Sequence, residues 1–483
     1  MKILIVWPTA EPEIKILFDA LERDGHRVVY WIGEYAGEKN TPKGAIFHDH
    51  YDAWDAKPAS ALRQVPILPV SAELASTMHE TESLILTMMN KHFDALSVDE
   101  RKHIYYTMLG YWHHVIDTLK PDWVVYAQVP HSLYSNIIYD LSRTRGIQAI
   151  CFEDTWVAHR LLSYRDFWKG SPVLRAAVRK FSGKAIAAPD LSKEMREYWD
   201  EQTQPRSRIA PAYMTFQKNT GEGWGLLRHR TRIALEALRR GRFVSLAFGY
   251  LRKLGRANLK TEYDRVVRAP DWSAPFVYFP LHFQPERTTC PQGGIYADQI
   301  LALETLAAAL PSGWEIYVKE HPSQWWLRSK ESFSSARYRG YYNRLAKVPH
   351  VRLVPITTDT FDLTEKARTV AVVTGTAGWE GLLRGKRPLV FGIPWWRDCT
   401  GVYRVSSVEE CARAMREIER GSRASREDVL RFLKALEESS VHAYMESLLA
   451  KDGPSPEENF LIITEHIRKE MGRGSVDSRP GTL

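Results

Sequence analysis

The chain has 483 residues, 44% hydrophobic and 26% charged, which is ordinary for a folded protein of two or more domains. No window approaches the roughly 18 apolar residues that a bilayer span needs, so a membrane-embedded chain is excluded. The formal net charge of +8 is unevenly spread, and its location matters more than its size.

The opening, MKILIVWPTAEPE, has an apolar run too short for a signal peptide, so a cytoplasmic location is the expectation. Four scattered cysteines (Cys151, Cys290, Cys399, Cys411) without a C-x-x-C pair argue against a zinc ribbon or a disulfide framework and fit a reducing compartment. The 16 tryptophans suit a sugar-handling protein, and a large core accounts for them equally well.

In chain order, a strand at Lys2–Trp7, a helix near Glu13–Asp24, Gly25 as its stop and a strand at Arg27–Ile32 make a β-α-β unit. No G-x-G-x-x-G follows the first strand, so a dinucleotide fingerprint is missing there. His48-Asp49-His50 has metal-like composition but no matching ligands beside it, and reads as a loop. Helical stretches follow near Ala72–Leu96 and Asp99–Leu119. A strand at Trp123–Ala127, a helix near Ser132–Arg145 and a strand at Gln148–Phe152 repeat the β-α-β pattern.

Two loops at the ends of these strands carry candidate bases. Gln128-Val129-Pro130-His131-Ser132 offers His131, and Glu153-Asp154-Thr155 offers two carboxylates. A transfer that removes a proton from an attacking hydroxyl needs such a group. Glu153 and Asp154 follow an apolar strand and alternate in direction, so only one should face a cleft. Asp154 is preferred for its shorter side chain, then Glu153, then His131. An acidic pair after a strand also serves as a helix cap or a solvated loop. The stretch Thr155–Lys218 gives little signal beyond a helix at Leu191–Glu201.

Between Gly225 and Arg268 stand twelve Lys and Arg against three acids, 12 − 3 = +9, so the rest of the chain is near −1. Val244, Ala247, Phe248, Leu251 and Leu254 recur at helical spacing there, with Arg252, Lys253 and Arg256 elsewhere on the cylinder. This is either an element for an anionic membrane surface or a docked insertion with a solvated basic face. No nucleic-acid motif accompanies the charge, so nucleic acid is not an expected partner.

A second alternating block begins at Phe276 and places a polar cluster after each strand: His282 and Gln284, then Lys319 and His321, then Thr374, Gly375, Thr376 and Glu380. Open α/β sheets bind ligands at the carboxyl ends of their strands. In Lys319-Glu320-His321-Pro322, Pro322 ends a buried strand and projects His321, which can donate to a phosphate while Lys319 adds charge. In Val373–Glu380, small residues let backbone approach a ligand, and a helix N-terminus offers free N–H groups. Thr374 and Thr376 add hydroxyls, and Glu380, read as first-turn, can accept from ribose hydroxyls. Thr376 with Glu380 is one residue too long for a capping box. Gln284 can read a base or sugar edge.

The order Q-P…D-Q, K-E-H-P and T-G-T-x-G-W-E-x-L-L-x-G-K-x-P-x-V-F-G-x-P, from Phe276 to Tyr403, resembles the capsule polysaccharide biosynthesis and export family. Those proteins are similar to β-Kdo transferases and, more distantly, to bacterial sialyltransferases sharing an H-P motif. The resemblance implies a GT-B fold and a nucleotide-activated sugar held by the C-terminal domain for surface glycan assembly. By position it places Gln284, His321, Thr374, Thr376 and Glu380 at the donor. Ile393-Pro394-Trp395-Trp396-Arg397 departs from the family's aromatic-Tyr-Ala-Gly-like turn, so the donor sugar stays open.

The expectation is therefore α/β: two facing Rossmann-like domains with a helical basic insertion. The boundaries are 1–224, 225–268, 269–425 and 426–483. A metal-independent glycosyltransferase is expected, with no cofactor and no D-x-D motif. Its nucleotide sugar (a CMP-linked one among the candidates) enters as substrate, and its acceptor is a glycan or glycolipid. A CDP-alditol phosphotransferase, a sugar-nucleotide epimerase and a non-catalytic glycan-binding protein remain as alternatives.

Overall fold

A computed structural model describes residues 1–204, 259–284, 289–322, 324, 337–446, 449–450 and 453–477, with scattered positions between 227 and 244. Most of the basic segment lies outside these residues. The chain divides into two compact units, one of Met1–Met89, Ala95–Tyr198 and Leu430–Leu483, the other of Asn90–Asp94 and Trp199–Val429.

In the first unit, β1 (Lys2–Val6), β2 (Arg27–Gly33), β3 (Ile46–Asp49), β4 (Trp123–Tyr126) and β5 (Gln148–Asp154) form a parallel sheet in the order β3-β2-β1-β4-β5. All four residues of β4, and all but Lys2 of β1, are buried, as expected of central strands covered on both faces. The sheet then continues antiparallel through β6 (Arg160–Tyr164) to the short strand Val441–His442. Neither of these last two strands was legible in the sequence. The helix expected over Ala72–Leu96 is two helices, Ala72–Thr77 and His79–Met88, interrupted at Met78.

The C-terminal helices are part of this unit rather than a separate tail. Phe460, Ile463, Ile467 and Met471 of the helix Pro456–Asp477 share a core with Ile3, Ile5 and Trp7 and with Leu17 and Phe18 of the helix Ile14–Arg23. Arg468 clamps Asp24 at 2.6 and 2.8 Å on the same interface. Burial of an apolar helix face is the physical reason that the boundary expected at 426 does not stand as a domain boundary.

The second unit holds β7 (Phe276–Pro280), β8 (Glu315–Lys319), β9 (Val351–Leu353), β10 (Thr369–Val372), β11 (Leu389–Val390) and β12 (Tyr403–Arg404). All pairs are parallel, in the order β12-β11-β10-β7-β8-β9. Counted from the other edge and renumbered within the unit, this is 3-2-1-4-5-6, the Rossmann order. Both units are thus Rossmann-like α/β domains. Their cores are separate: the second is built on Val277, Phe279, Ile316, Val318 and Ala371. Among the described residues, no helix is long and apolar enough to cross a membrane.

Ile467 is fully enclosed in the first core. We expect Ile467→Ala to cost about 2–5 kcal/mol in urea unfolding, through lost transfer energy and a residual cavity. A change below about 0.5 kcal/mol would mean that the C-terminal helix does not dock as described.

Candidate functional site

The strand order of the second unit reverses between β7 and β10, and ligands of open α/β sheets bind in the crevice at such a point. One imidazole spans it. His282, just past β7, accepts through Nε2 from the backbone N–H of Val373 at 3.0 Å and of Thr374 at 3.3 Å, just past β10. Its own backbone is held by Gln299, whose Oε1 accepts from His282 N at 2.7 Å. Burial, with His321 and Arg337 adding repulsion, pushes His282 down to about 3, so the ring is a neutral acceptor. A Cβ on Gly375 would stand 2.5 Å from His282 Cε1. Gly375 is therefore small for the protein's own ring, whereas the sequence reading gave a ligand as the reason.

Behind this ring lies a buried ion pair that sequence reasoning missed. Arg337 donates from Nε to Glu320 Oε2 at 2.7 Å, with both side chains fully enclosed. The same guanidinium donates to Gln284 Oε1 at 2.8 Å and to the His282 carbonyl at 2.8 Å. Tyr342 OH donates to Glu320 Oε2 at 2.6 Å, and the backbone N–H of His321 donates to Glu320 Oε1 at 2.7 Å. The Glu320 backbone N–H donates to Tyr263 OH at 3.1 Å. Tyr263 comes from the helix Leu259–Val266 at the end of the basic segment. The network fixes the chain on either side of β8's carboxyl end. Arg337 sits seventeen residues past Glu320 with no motif around it, which is why the sequence gave no signal.

The expected donor residues divide into two groups. Gln284 and Lys319 are committed to the protein. The Gln284 amide accepts from Arg337 and donates to the Ala297 carbonyl at 2.7 Å. Lys319 Nζ donates to the Thr358 carbonyl at 2.5 Å and to Thr360 Oγ1 at 2.9 Å, and burial pushes it down to about 8. Both position loops.

His321, Thr374, Thr376 and Glu380 lie at the strand ends and the helix start as expected. His321 is half-buried beside Phe283, and burial pushes it down to about 4, so it meets a ligand as a neutral N–H donor. The helix Thr376–Leu383 begins after Gly375 with no side-chain cap, leaving its first amides for an anion. Glu380 opens the second turn, not the first, because Thr376 is the first helical residue. Burial raises its carboxyl to about 7, against the pull of Arg384, and among the described residues it takes no hydrogen bond. The sequence departure at Trp395-Trp396 is packing: a Cβ on Gly378 would stand 2.4 Å from Trp396 Cη2, and Trp395 stacks near Trp379 at 5.0 Å.

In the first unit the reversal lies between β1 and β4. His131 follows β4, and its Nδ1–H donates to the Val129 carbonyl at 2.8 Å, which leaves Nε2 as the basic nitrogen of the neutral ring. Glu11 follows β1, with its carboxyl raised by burial first and by Glu13 second. Sequence reading passed over Glu11, although its place after the first strand was available. Glu153 and Asp154 are not in a loop: they end β5, opposite Leu162 and Leu161 of β6. Glu153 Oε2 accepts from Tyr164 OH at 2.7 Å. Asp154 is 4% exposed and accepts from the Met445 backbone N–H at 3.0 Å. The preference for Asp154 as base thus meets an enclosed carboxylate that anchors the C-terminal segment. His48 and His50 are likewise structural, on Tyr30 OH at 2.7 Å and Tyr134 OH at 2.5 Å.

Residues 287–432 match the family model described as capsule polysaccharide biosynthesis protein. The capsule-family segment holds Lys319, His321 and the whole run from Thr374 to Glu380, so the resemblance read from the motifs stands. No curated protein matches the chain. Among solved structures, the β-Kdo 2,7 transferase of Thermosulfurimonas dismutans KpsC is 13% identical, with 74% of this chain and 88% of that one covered, at a TM-score of 0.29. The β-Kdo 2,4 transferase of the same KpsC is 14% identical over 65% and 78%, at 0.28. A Neisseria meningitidis UDP-GlcNAc 2-epimerase is 12% identical over 97% and 100%, at 0.22. Likenesses this distant decide neither fold nor activity.

Gly375→Ala must displace the His282 ring and strand the N–H groups of Val373 and Thr374. We expect a loss of about 1–3 kcal/mol per buried donor left unsatisfied, read by urea unfolding. Wild-type stability in Gly375→Ala would show that the ring is not wedged there.

Proposed function

We propose that this protein is a glycosyltransferase that moves a sugar from a nucleotide-activated donor to a growing surface glycan. One observation carries the reading: an uncapped helix N-terminus at the switch point of the second unit, within a capsule-family segment, with His321, Thr374, Thr376 and Glu380 around it. The amides of the helix start and the Thr376 hydroxyl suit donor phosphate, and the N–H of His321 supplies a further contact. Glu380, once ionised, suits a pair of ribose hydroxyls. Dipole and neutral donors then balance the phosphate charge in a metal-independent transfer.

The first unit takes the acceptor, with His131 as the base. Its Nε2 takes the proton as the acceptor hydroxyl attacks the anomeric carbon, and the nucleotide leaves toward the helix N-terminus. In a nucleotide-release assay across CMP-, UDP-, GDP- and CDP-linked sugars, we expect one donor class to turn over with acceptor present. His321→Ala should weaken donor binding and turnover together, by roughly 0.5–1.5 kcal/mol for a neutral hydrogen bond and more if phosphate protonates the ring. His131→Ala should keep donor affinity and lose about 10²–10⁴ in turnover. Normal turnover by His131→Ala with a severe Glu11→Gln would move the base to Glu11. Phosphotransfer or epimerisation in place of glycosyl transfer, or no binding heat with any nucleotide sugar, would overturn the reading.

The basic segment supports a second element of the proposal, docking on an anionic membrane surface. Its described positions include the exposed apolar side chains of Leu227, Leu235, Leu238, Phe243 and Val244, within a stretch carrying twelve Lys and Arg. Such a surface attracts about 1 kcal/mol per basic residue. Binding to vesicles should require anionic lipid, weaken with salt and be lost when Arg239, Arg240, Arg252 and Lys253 become Gln. No binding by the wild type would leave a docked insertion.

A further inference from the structure

The first unit gathers two imidazoles and a carboxylate that neither the donor nor the base reading uses. His159 lies in the turn between β5 and β6, Glu194 in the first turn of the helix Lys193–Thr203, and His442 in the edge strand Val441–His442. One ligand atom from each lies within 4.8 Å of the other two, and all three residues are half-buried. His442 Nε2 stands 2.9 Å from Glu194 Oε2, and the His159 and His442 rings meet edge to face at 6.0 Å.

The backbone that presents His159 is strained. Trp156, Ala158 and His159 take φ of 60°, 44° and 52°, the left-handed region that residues with a Cβ avoid. The turn keeps this shape because Thr155 donates twice to the Arg160 carbonyl, at 3.1 Å from its N–H and 2.6 Å from its hydroxyl. Ala443 N–H donates to the His159 carbonyl at 3.0 Å, locking the turn to the edge strand beside His442. A Cβ on Gly453 would stand 3.0 Å from His159 Cδ2, so a glycine backs the ring. A Glu194–His442 ion pair alone accounts for two of the three groups. It does not account for a strained turn that aims a second imidazole at the same point.

We propose that His159, Glu194 and His442 hold one divalent transition-metal ion, Zn²⁺ by ligand chemistry, that ties the C-terminal strand to the first unit. Two imidazoles and a carboxylate suit Zn²⁺ in a tetrahedral site whose fourth position takes water. With bonds of about 2.0–2.2 Å the ligand atoms stand about 3.3–3.6 Å apart, within reach of side-chain rotation from the present geometry. The surrounding charge agrees: one cation, Arg160, faces two carboxylates, Glu194 and Glu437. The site joins stretches separated by more than two hundred residues, so the ion would act on stability. It does not depend on the glycosyltransferase reading.

The test uses the full-length protein stripped with EDTA and titrated with Zn²⁺ and with Co²⁺. One ion per chain is expected, with the visible bands of tetrahedral Co²⁺ and a rise in Tm on adding Zn²⁺. His159→Gln and Glu194→Gln should each weaken binding by at least about 100-fold, more than an outer-shell loss, and abolish the Tm rise while leaving the metal-free Tm near that of the wild type. If one variant fails to fold, the other and the wild-type Co²⁺ spectrum decide. The proposal is overturned if the wild type binds neither ion, if both folded variants bind as the wild type does, or if the Co²⁺ spectrum shows thiolate charge transfer, which would place the ion on cysteine.

Discussion

The donor half of this protein depends on one buried charge pair, Arg337 with Glu320. An isolated ion of either sign in that interior would cost several kcal/mol, so each holds the other in place. Every remaining hydrogen-bonding position on the pair that the structure shows is used to fix something else. Arg337 holds the Gln284 amide and the His282 carbonyl, and Glu320 holds the Tyr342 hydroxyl and the His321 backbone. The carboxyl ends of β7 and β8 are thereby set relative to each other by electrostatics rather than by local sequence. Such a pair adds little net stability against apolar residues of the same volume. Its effect here is to select one loop geometry.

From that frame the rest of the donor site follows. With the His282 carbonyl anchored, its ring can reach across the switch point and accept from the first two backbone N–H groups after β10. The chain at Thr374-Gly375 is then positioned to start a helix with its amides uncapped. A neutral His282 and a neutral His321 leave the uncompensated polarity of the site in the helix start, which favours an anion. Glu380, raised to about 7, adds negative charge only as pH rises through that range, so it does not oppose phosphate strongly near neutrality.

The first unit is assembled by contacts between distant parts of the chain. Its sheet is completed by Val441–His442 and its core by the helix Pro456–Asp477. Asp154 accepts from Met445 and Gln128 donates to Glu446, so two loops that looked like acceptor-side chemistry also hold the C-terminal return. That leaves His131 and Glu11, one after each strand flanking the reversal, as the groups placed where this sheet type does chemistry. The three-ligand cluster at His159, Glu194 and His442 is built on the same return.

What the sequence determined by itself was the alternation of strand and helix, since apolar strand runs and helix stops are local signals. Most elements from Lys2 to Gln148 and from Phe276 to Arg404 therefore lie within a residue or two of where periodicity puts them. It also determined which strand ends carry polar clusters, and hence His321, Thr374, Thr376 and Glu380 as a group. Only the tertiary structure decided what each polar group faces. Gln284, Lys319, Glu153 and Asp154 have the right residue type at the right strand end, yet their hydrogen bonds go to Arg337, Thr358, Tyr164 and Met445. Arg337 and the C-terminal strand had no local signature, because their roles are set by partners tens to hundreds of residues away. A side chain's type and position are written locally; whether it is already satisfied depends on which distant group the fold brings within hydrogen-bonding distance.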